Sequence, residues 1–370
     1  MNPKISIFIP VYGESDLLLP LLHEILNDSY GSKEIFVIID KPTKGSLEIT
    51  EKLRNDVKFI LNGERKGKVN VLNETVKKST GEILLFLDSD ITLPKNPGHF
   101  LKVVSEEAKN ADIIEIKKNV LRDSFLAKVV NYDYLSFNST NWIFSHALGR
   151  CLGFNGAAFA IKREVFEALG GFRRVISEDL DMGTRSFIKN YKFKYVEKIQ
   201  VYNKIYPSWK EWFKQRKRWG LGAALWLKEY YKNLLAVFRK HPKVLLPSLF
   251  LILPSLPIFV INMLVPNEIY LKIFFFILLF LGTKAEFFLH PIIFTFVGVA
   301  LIRNVFASVA SFGVYLFIFY YLAHKLRYTF NPLEFTFFYF IYSPLWFLMI
   351  ITSIMKVAIN HDETNIDWKI

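Results

Sequence analysis

EILLFLDSD, residues 82–90, decides how the first half of the chain is read. Ile83–Leu87 is a short unbroken apolar run, the length and composition of a buried strand. Asp88 and Asp90 follow at once, so two carboxylates fall at that strand's carboxyl end. Similar runs precede it: ISIFIP from Ile5, EIFVIID ending at Asp40, and VKFIL from Val57. Helix-like stretches at Asp16–Asn27, Leu47–Asn55 and Val69–Ser79 separate them, which predicts an α/β domain with a mostly parallel, Rossmann-like sheet built from βαβ units. Ligands of such sheets sit at the carboxyl ends of the strands. Pro10–Glu14 (with Tyr12), Asp40 and Asp88–Asp90 (with Ser89) are therefore expected to converge on one crevice.

Further along, from about Asp112 to Val201, the pattern is mixed. It holds a long aromatic-rich helix candidate near Phe125–Ser145, the segment GFNGAAFAIKR and then LGGFRRVISEDLDMGTR, read as the acceptor half of the same domain. Residues 204–243 hold eleven Lys/Arg against two Asp/Glu, interleaved with Trp209, Trp212, Phe213, Trp219, Trp226, Tyr230 and Tyr231. A basic aromatic helix of this kind suits a membrane surface. Apolar runs follow at Val244–Val265, Ile269–Thr283, Phe287–Ile302, Val305–Ala323 and Phe335–Val357, of which only the first and last clearly reach the roughly 20 residues of a full span. The expected division is residues 1–203 catalytic, 204–243 interfacial, 244–358 with four or five transmembrane helices, and 359–370 a tail.

Charge agrees with that division. Of the net +13, residues 1–243 carry 40 Lys/Arg against 28 Asp/Glu, while residues 244–370 are nearly balanced. Basic segments beside spanning helices stay in the cytoplasm, which places the N-terminal domain there on a multi-pass cell-membrane protein. MNPKISIFIP reads as a strand and not as a signal peptide. A single cysteine, Cys151, excludes an intramolecular disulfide framework and a thiolate metal cluster. Nucleic acid is the rival partner for a basic aromatic stretch, and the adjoining apolar runs argue against it.

Several residues carry chemistry. Asp90, just past an apolar strand, is placed to meet Mg²⁺ or Mn²⁺, hard cations that take oxygen ligands and leave positions for phosphate. Asp40 can accept hydrogen bonds from a nucleobase or ribose, although a turn residue before Pro42 would look the same. Gly67, Lys68 and Asn73 open a helix whose N-terminus and lysine suit a diphosphate. Ser177-Glu178-Asp179 reads equally as a helix N-cap with acids in the first turn. In the functional reading, Asp179 takes the proton of an acceptor hydroxyl. Gln215, Arg218 and Trp219 share one helix face at i, i+3, i+4, combining an amide, a phosphate-matching guanidinium and a stacking platform. Arg216 and Lys217 are read as contacts to anionic lipid head groups.

In order and spacing, PVYGES, FVIID, RKGKVNVLNE, FLDSD, FNGAAFAIKRE with LGGF, SED and QRKRW resemble family 2 glycosyltransferases of the GT-A fold, in the branch with cellulose, chitin and hyaluronan synthases. The resemblance covers roughly residues 3–220 and the apolar architecture after them. It implies that Pro10, Tyr12, Glu14, Asp40, Lys68, Asp88, Ser89 and Arg218 hold a nucleotide-diphosphate sugar, with Asp90 on the metal. Asp179 would be the catalytic base of an inverting displacement, and Asn155, Gly156, Glu178, Gln215 and Trp219 would line the acceptor site. The sugar donor is expected to be a UDP-sugar and the acceptor a polysaccharide or glycolipid. Lys41-Pro42-Thr43 departs from the acid and Gly-Ser common after Asp40 in the family. Two further readings stand beside this one: transfer of a single sugar to a polyprenyl phosphate, and a non-catalytic membrane transporter or scaffold.

Overall fold

The computed structural model describes residues 2–94, 99–205, 208–264 and 296–359. Two units are present, Met1–Ser248 with Leu348–Ile370, and Leu249–Phe347. The first is built on one eight-stranded sheet: β1 (Ile5–Tyr12), β2 (Lys33–Asp40), β3 (Lys58–Asn62), β4 (Ile83–Leu87), β5 (Ile91–Thr92), β6 (Ile113–Val120), β7 (Ala158–Lys162) and β8 (Phe193–Asn203). Their order is β3-β2-β1-β4-β7-β6-β8-β5. β1 to β4 are parallel, as the strand and helix alternation predicts, and β7 runs against both β4 and β6. This is the GT-A type of α/β fold.

Helices α1 (Leu18–Leu26), α2 (Lys44–Leu53) and α3 (Lys68–Val76) follow the first three strands. On α1, Leu18, Leu21, Leu22 and Ile25 are buried at i, i+3, i+4, i+7 and pack with Ile5, Ile7 and Ile9 of β1. Phe100, Leu101 and Val104 of α4 (Phe100–Ala108) join the same core. Register sets a second layer. Phe8 pairs with Phe36 and Phe86, and Phe86 with Phe159, so four rings stack across β2, β1, β4 and β7 at 5.5, 5.1 and 5.0 Å. Each such pair adds about 0.5–1.5 kcal/mol beyond its burial. The ladder runs under the crevice described below.

The aromatic-rich stretch forms α5 (Phe125–Leu148), capped by Ser124, whose hydroxyl accepts from Ala127 N–H. α6 (Arg163–Ala168) and α7 (Glu178–Ile188) lead to α8 (Trp209–Lys240), a single 32-residue helix carrying the basic aromatic sequence. Arg216 corrects the sequence reading. It is 1% exposed and ion-paired to buried Asp133 of α5 at 2.6 Å, so it holds α8 to the domain and does not reach lipid. Lys217 beside it is exposed.

Val244–Val265 is not one helix. It divides into α9 (Pro242–Ile252) and α10 (Ser255–Leu264) at Leu253-Pro254, where proline lacks an N–H and pushes the preceding residue out of helical conformation. The second unit contains α10, α11 (Phe296–Lys325), α12 (Pro332–Phe337) and a π-helical turn, Phe338–Tyr342, which continues into α13 (Ser343–Ile359). Phe312, Phe319, Phe335 and Phe338 pack there, and Tyr339 donates to Ser311 Oγ at 2.6 Å. Among the described residues, Asn304–Lys325 and Pro332–Ile359 are long and apolar enough to cross a membrane. The apolar run Ile269–Thr283 and most of Phe287–Ile302 lie outside the described residues.

Candidate active site

Asp40 is the last residue of β2, with Tyr12 of β1 and Asn62 of β3 level with it in the sheet. Its Oδ1 accepts from the Asn62 amide, and its Oδ2 from the backbone N–H groups of Lys66 and Gly67, all at 2.9 Å. Gly67 has φ 84°, which a side chain would strain, and this lets its N–H turn back onto Asp40 before α3 starts. Asp40 thereby fixes where Lys68 emerges. On the same helix, Asn73 donates to Phe172 O at 2.8 Å and accepts from Phe172 N–H at 3.0 Å, tying the LGGF segment to α3.

Lys68 is the meeting point. Its Nζ lies 2.8 Å from Asp88 Oδ1 and 3.2 Å from Glu178 Oε1, joining the end of β4 to the start of α7. Burial works against its charge, yet Asp88 and Glu178 outweigh burial and hold its pKa above the ordinary lysine range. Asp179 sits beside Glu178; its Oδ2 accepts from Gly156 N–H at 3.0 Å and its Oδ1 from Leu180 N–H at 2.8 Å. Burial, then the charge of Glu178, pushes the Asp179 carboxyl up to about 6. Pro10, Lys68, Asp88, Gly156, Glu178 and Asp179 line one narrow crevice, with Phe86, Phe159 and Phe172 among its walls.

The Asp88–Asp90 turn is held from both sides. Ser15 Oγ donates to Ser89 O at 2.5 Å, and Lys204 N–H to Asp90 O at 2.9 Å. Asp90 Oδ1 is buried with no hydrogen-bond partner, and burial with the neighbouring Asp88 charge pushes its carboxyl to about 7. A buried acceptor left in that state is costly, and a hard divalent cation would satisfy it. Among the described residues no group of three or more His, Cys, Asp or Glu side chains is arranged to hold a metal alone. Asp90 therefore fits a metal whose remaining ligands would have to come from outside the protein.

At the rim, Tyr12 is 55% exposed with the Arg65 guanidinium 4.6 Å over its ring, and Glu14 accepts from Thr43 Oγ1. Asn155 Oδ1 accepts from Ala157 N–H at 2.9 Å, closing its own loop. Gln215, Arg218 and Trp219 are not among the crevice-lining residues. They lie on α8, which meets α7 through one face: Trp226 Nε1 donates to Thr184 Oγ1 at 2.8 Å and Tyr230 OH to Asp181 Oδ1 at 2.7 Å. A Cβ at Gly222 would stand 2.1 Å from Ser177 Oγ and 3.0 Å from Ile176 Cγ2, so a side chain there requires Ser177 to turn away. Trp219 is one turn ahead of Gly222 on that face, and the guanidinium of Arg216 lies 4.3 Å over its ring.

The family model for glycosyltransferase like family 2 matches residues 3–222, more than half of the chain and every crevice-lining residue above. The chain belongs to glycosyltransferase-like family 2. It is 25% identical over 236 residues to the probable glycosyltransferase YdaM of Bacillus subtilis, covering 60% of this chain and 55% of that protein. To the poly-β-1,6-N-acetyl-D-glucosamine synthase of Staphylococcus epidermidis it is 24% identical over 225 residues, 59% and 54% of the two. The chain thus spans about half the length of the curated relatives it matches. A solved mannosyltransferase, PcManGT from Pyrobaculum calidifontis in complex with GDP-Man and Mn²⁺, shares the fold at 17% identity and TM-score 0.55, over 98% of this chain and 89% of that one.

This family 2 domain contains supporting residues that sequence reasoning missed. Asp181, 2% exposed, is bound by Arg173 (3.0 Å), Arg185 (2.7 Å) and Tyr230 (2.7 Å), uniting α7, α8 and the LGGF segment. The available signal was an acid at i+3 from Glu178 with an arginine four residues beyond it. Asp133 and Arg216 had no such local pattern, because their separation of over eighty residues leaves no spacing to read.

Proposed function

We propose that the chain is an inverting, metal-dependent hexosyltransferase that moves a sugar from a nucleoside-diphosphate donor, a UDP-sugar first, to a polysaccharide or glycolipid acceptor at the cell membrane. One observation carries this: a single lysine bridges Asp88, on the sugar-donor side, to Glu178 beside the hydrogen-bonded carboxylate Asp179. In this reading Asp179 Oδ accepts the proton of the acceptor hydroxyl while that oxygen forms a bond to the anomeric carbon. The bond from that carbon to the β-phosphate oxygen breaks in line, and the nucleoside diphosphate leaves. A base titrating near 6 is mostly charged at neutral pH yet basic enough to take the proton.

Asp40 has used three of its roughly four acceptor directions on protein donors. One remains for ribose or base, beside the exposed Tyr12 ring. Lys68 is poised to transfer its charge from Asp88 to the departing diphosphate, with Arg218 as a second cation. A divalent ion on Asp90 supplies further charge neutralisation to the leaving group when bound. Gln215 and Trp219, outside the crevice lining itself, are assigned in this reading to the acceptor sugar. The polysaccharide acceptor draws support from the relatives named as poly-β-1,6-N-acetyl-D-glucosamine synthases.

Membrane placement rests on α8 and the apolar helices. Leu227, Tyr231, Leu235 and Phe238 are exposed at helical spacing, and Lys228, Lys232, Arg239 and Lys240 stand among them. We infer a multi-pass protein with its catalytic domain in the cytosol. Radiolabelled transfer by purified protein, with product length read by mass spectrometry, tests the function. A ladder means a processive synthase, one added sugar a lipid transferase, and no turnover across UDP- and GDP-sugars contradicts the proposal.

A further inference from the structure

β6 reads IIEIKKNV, and all eight of its residues are buried. Glu115 is 1% exposed and Lys118 0%. Taking both charges out of water is costly before their attraction is counted, and a hydrophobic pair of similar volume would serve stability as well or better. Their contacts suggest what they do instead. Register between β6 and β8 slips after Ile116, which pairs with Val196 while Lys117 pairs with Gln200. Across this irregularity Lys118 Nζ reaches back to Glu115 Oε1 at 2.7 Å and Ile116 O at 3.1 Å. Glu115 Oε2 accepts from Asn141 Nδ2 of α5 at 2.6 Å, and Oε1 also accepts from Asn155 N–H at 3.1 Å.

That last bond matters because of what the next two residues hold. Gly156 N–H donates to Asp179 Oδ2 at 3.0 Å, and Ala157 O accepts from Asp88 N–H at 2.8 Å. Three consecutive residues thus touch Glu115, Asp179 and Asp88 in turn. Ala157 lies against the β4–β7 ladder, which secures it independently of Glu115. Asn155 and Gly156 precede that ladder, and their backbone is anchored from below by Glu115.

We propose that Glu115, with Lys118 as its counter-charge, is a positioning residue of the transfer reaction, holding the Asn155–Gly156 backbone so that the Gly156 N–H meets Asp179. The inference rests on Asp179 acting as the base. Groups facing Asp179 are Glu178 and the Leu180 N–H on its own helix, Lys68 of α3, the Gly156 N–H of the loop and, through its field, Lys118 of β6. Of these, the Gly156 and Leu180 N–H groups, Lys68 and Lys118 favour the charged carboxylate. Loosening the Gly156 contact withdraws one of them, so the base titrates higher and less of it is active at neutral pH.

The test compares wild type, E115L/K118M, E115Q/K118M and D179N as full-length detergent-purified proteins, with kcat and sugar-donor KM measured from pH 5 to 8.5. Leucine leaves Asn155 N–H without its acceptor; glutamine keeps one acceptor oxygen where glutamate has two. In E115L/K118M the acid midpoint is expected to rise by about one unit from about 6, a tenfold change in proton affinity, with kcat down about twofold at pH 7 and about tenfold at pH 5, and KM within about threefold. E115Q/K118M shifts the same way by less, and decides the question alone if the leucine variant does not fold. Unmoved midpoints in both, or kcat and KM changing together without a shift, overturn the inference. D179N retaining wild-type activity would instead overturn the base assignment beneath it.

Discussion

Removing the guanidinium of Arg216 should weaken the attachment of α8 more than any other single change on that helix. Asp133 and Arg216 have side chains 5% and 1% exposed and lie 2.6 Å apart. Deleting one member of a buried pair costs about 3–5 kcal/mol, because the other charge stays out of water. Against a typical total of 5–15 kcal/mol this is a large share. At about 2–4 °C per kcal/mol it lowers the melting temperature by roughly 6–20 °C. R216M, D133L and R216M/D133L complete a double-mutant cycle, read by thermal unfolding in detergent and by hydrogen exchange of α8 amides. The double variant should recover most of the loss, since two apolar side chains can replace the pair. A single variant within about 1 kcal/mol of wild type, or strictly additive losses, would refute the view that this pair docks the helix.

Three other outcomes are expected. Turnover should fall about tenfold per pH unit below about 6, where Asp179 becomes protonated and cannot act as base. The sign for stability is opposite: an acid raised from 3.8 to about 6 penalises the fold above pH 6, and the penalty is relieved as pH falls toward 4. D179N should therefore unfold no earlier than wild type at pH 7 while losing turnover, and an inactive variant that also melts much lower would point to a structural role. F86A, which removes the central ring of the ladder, should cost about 3–5 kcal/mol in denaturant unfolding. G222A brings a Cβ to 2.1 Å from Ser177 Oγ, which must rotate away at the start of α7, so kcat should drop by roughly two- to threefold with the circular dichroism spectrum unchanged.

The strands and helices of the first half were legible because local period and chain order carried them. Ile5, Ile7 and Ile9 alternate, and α1 repeats at 18, 21, 22, 25, so one pass along the sequence places both. Asp40, Asp88 and Asp90 were legible for the same reason: each ends an apolar run. Three things were not. Arg216 looks like its exposed neighbour Lys217 in one-letter code, and only a partner on α5 distinguishes them. Glu115 and Lys118 sit in a strand whose burial is imposed by helices on both faces, a tertiary fact with no local signature. Val244–Val265 read as one span because average hydropathy ignores where a proline falls: α9 continues through Pro247 but stops before Pro254.

Asp90 and Asp179 are proposed to serve one transfer reaction from the same domain. Release of nucleotide by the detergent-purified protein, screened over UDP- and GDP-sugars with Mn²⁺ or Mg²⁺, tests it most directly, with D90A and D179N alongside. Metal-dependent release from one sugar donor, lost in both variants, is expected. Release that persists in D179N, or that is indifferent to a chelator and to D90A, would contradict it.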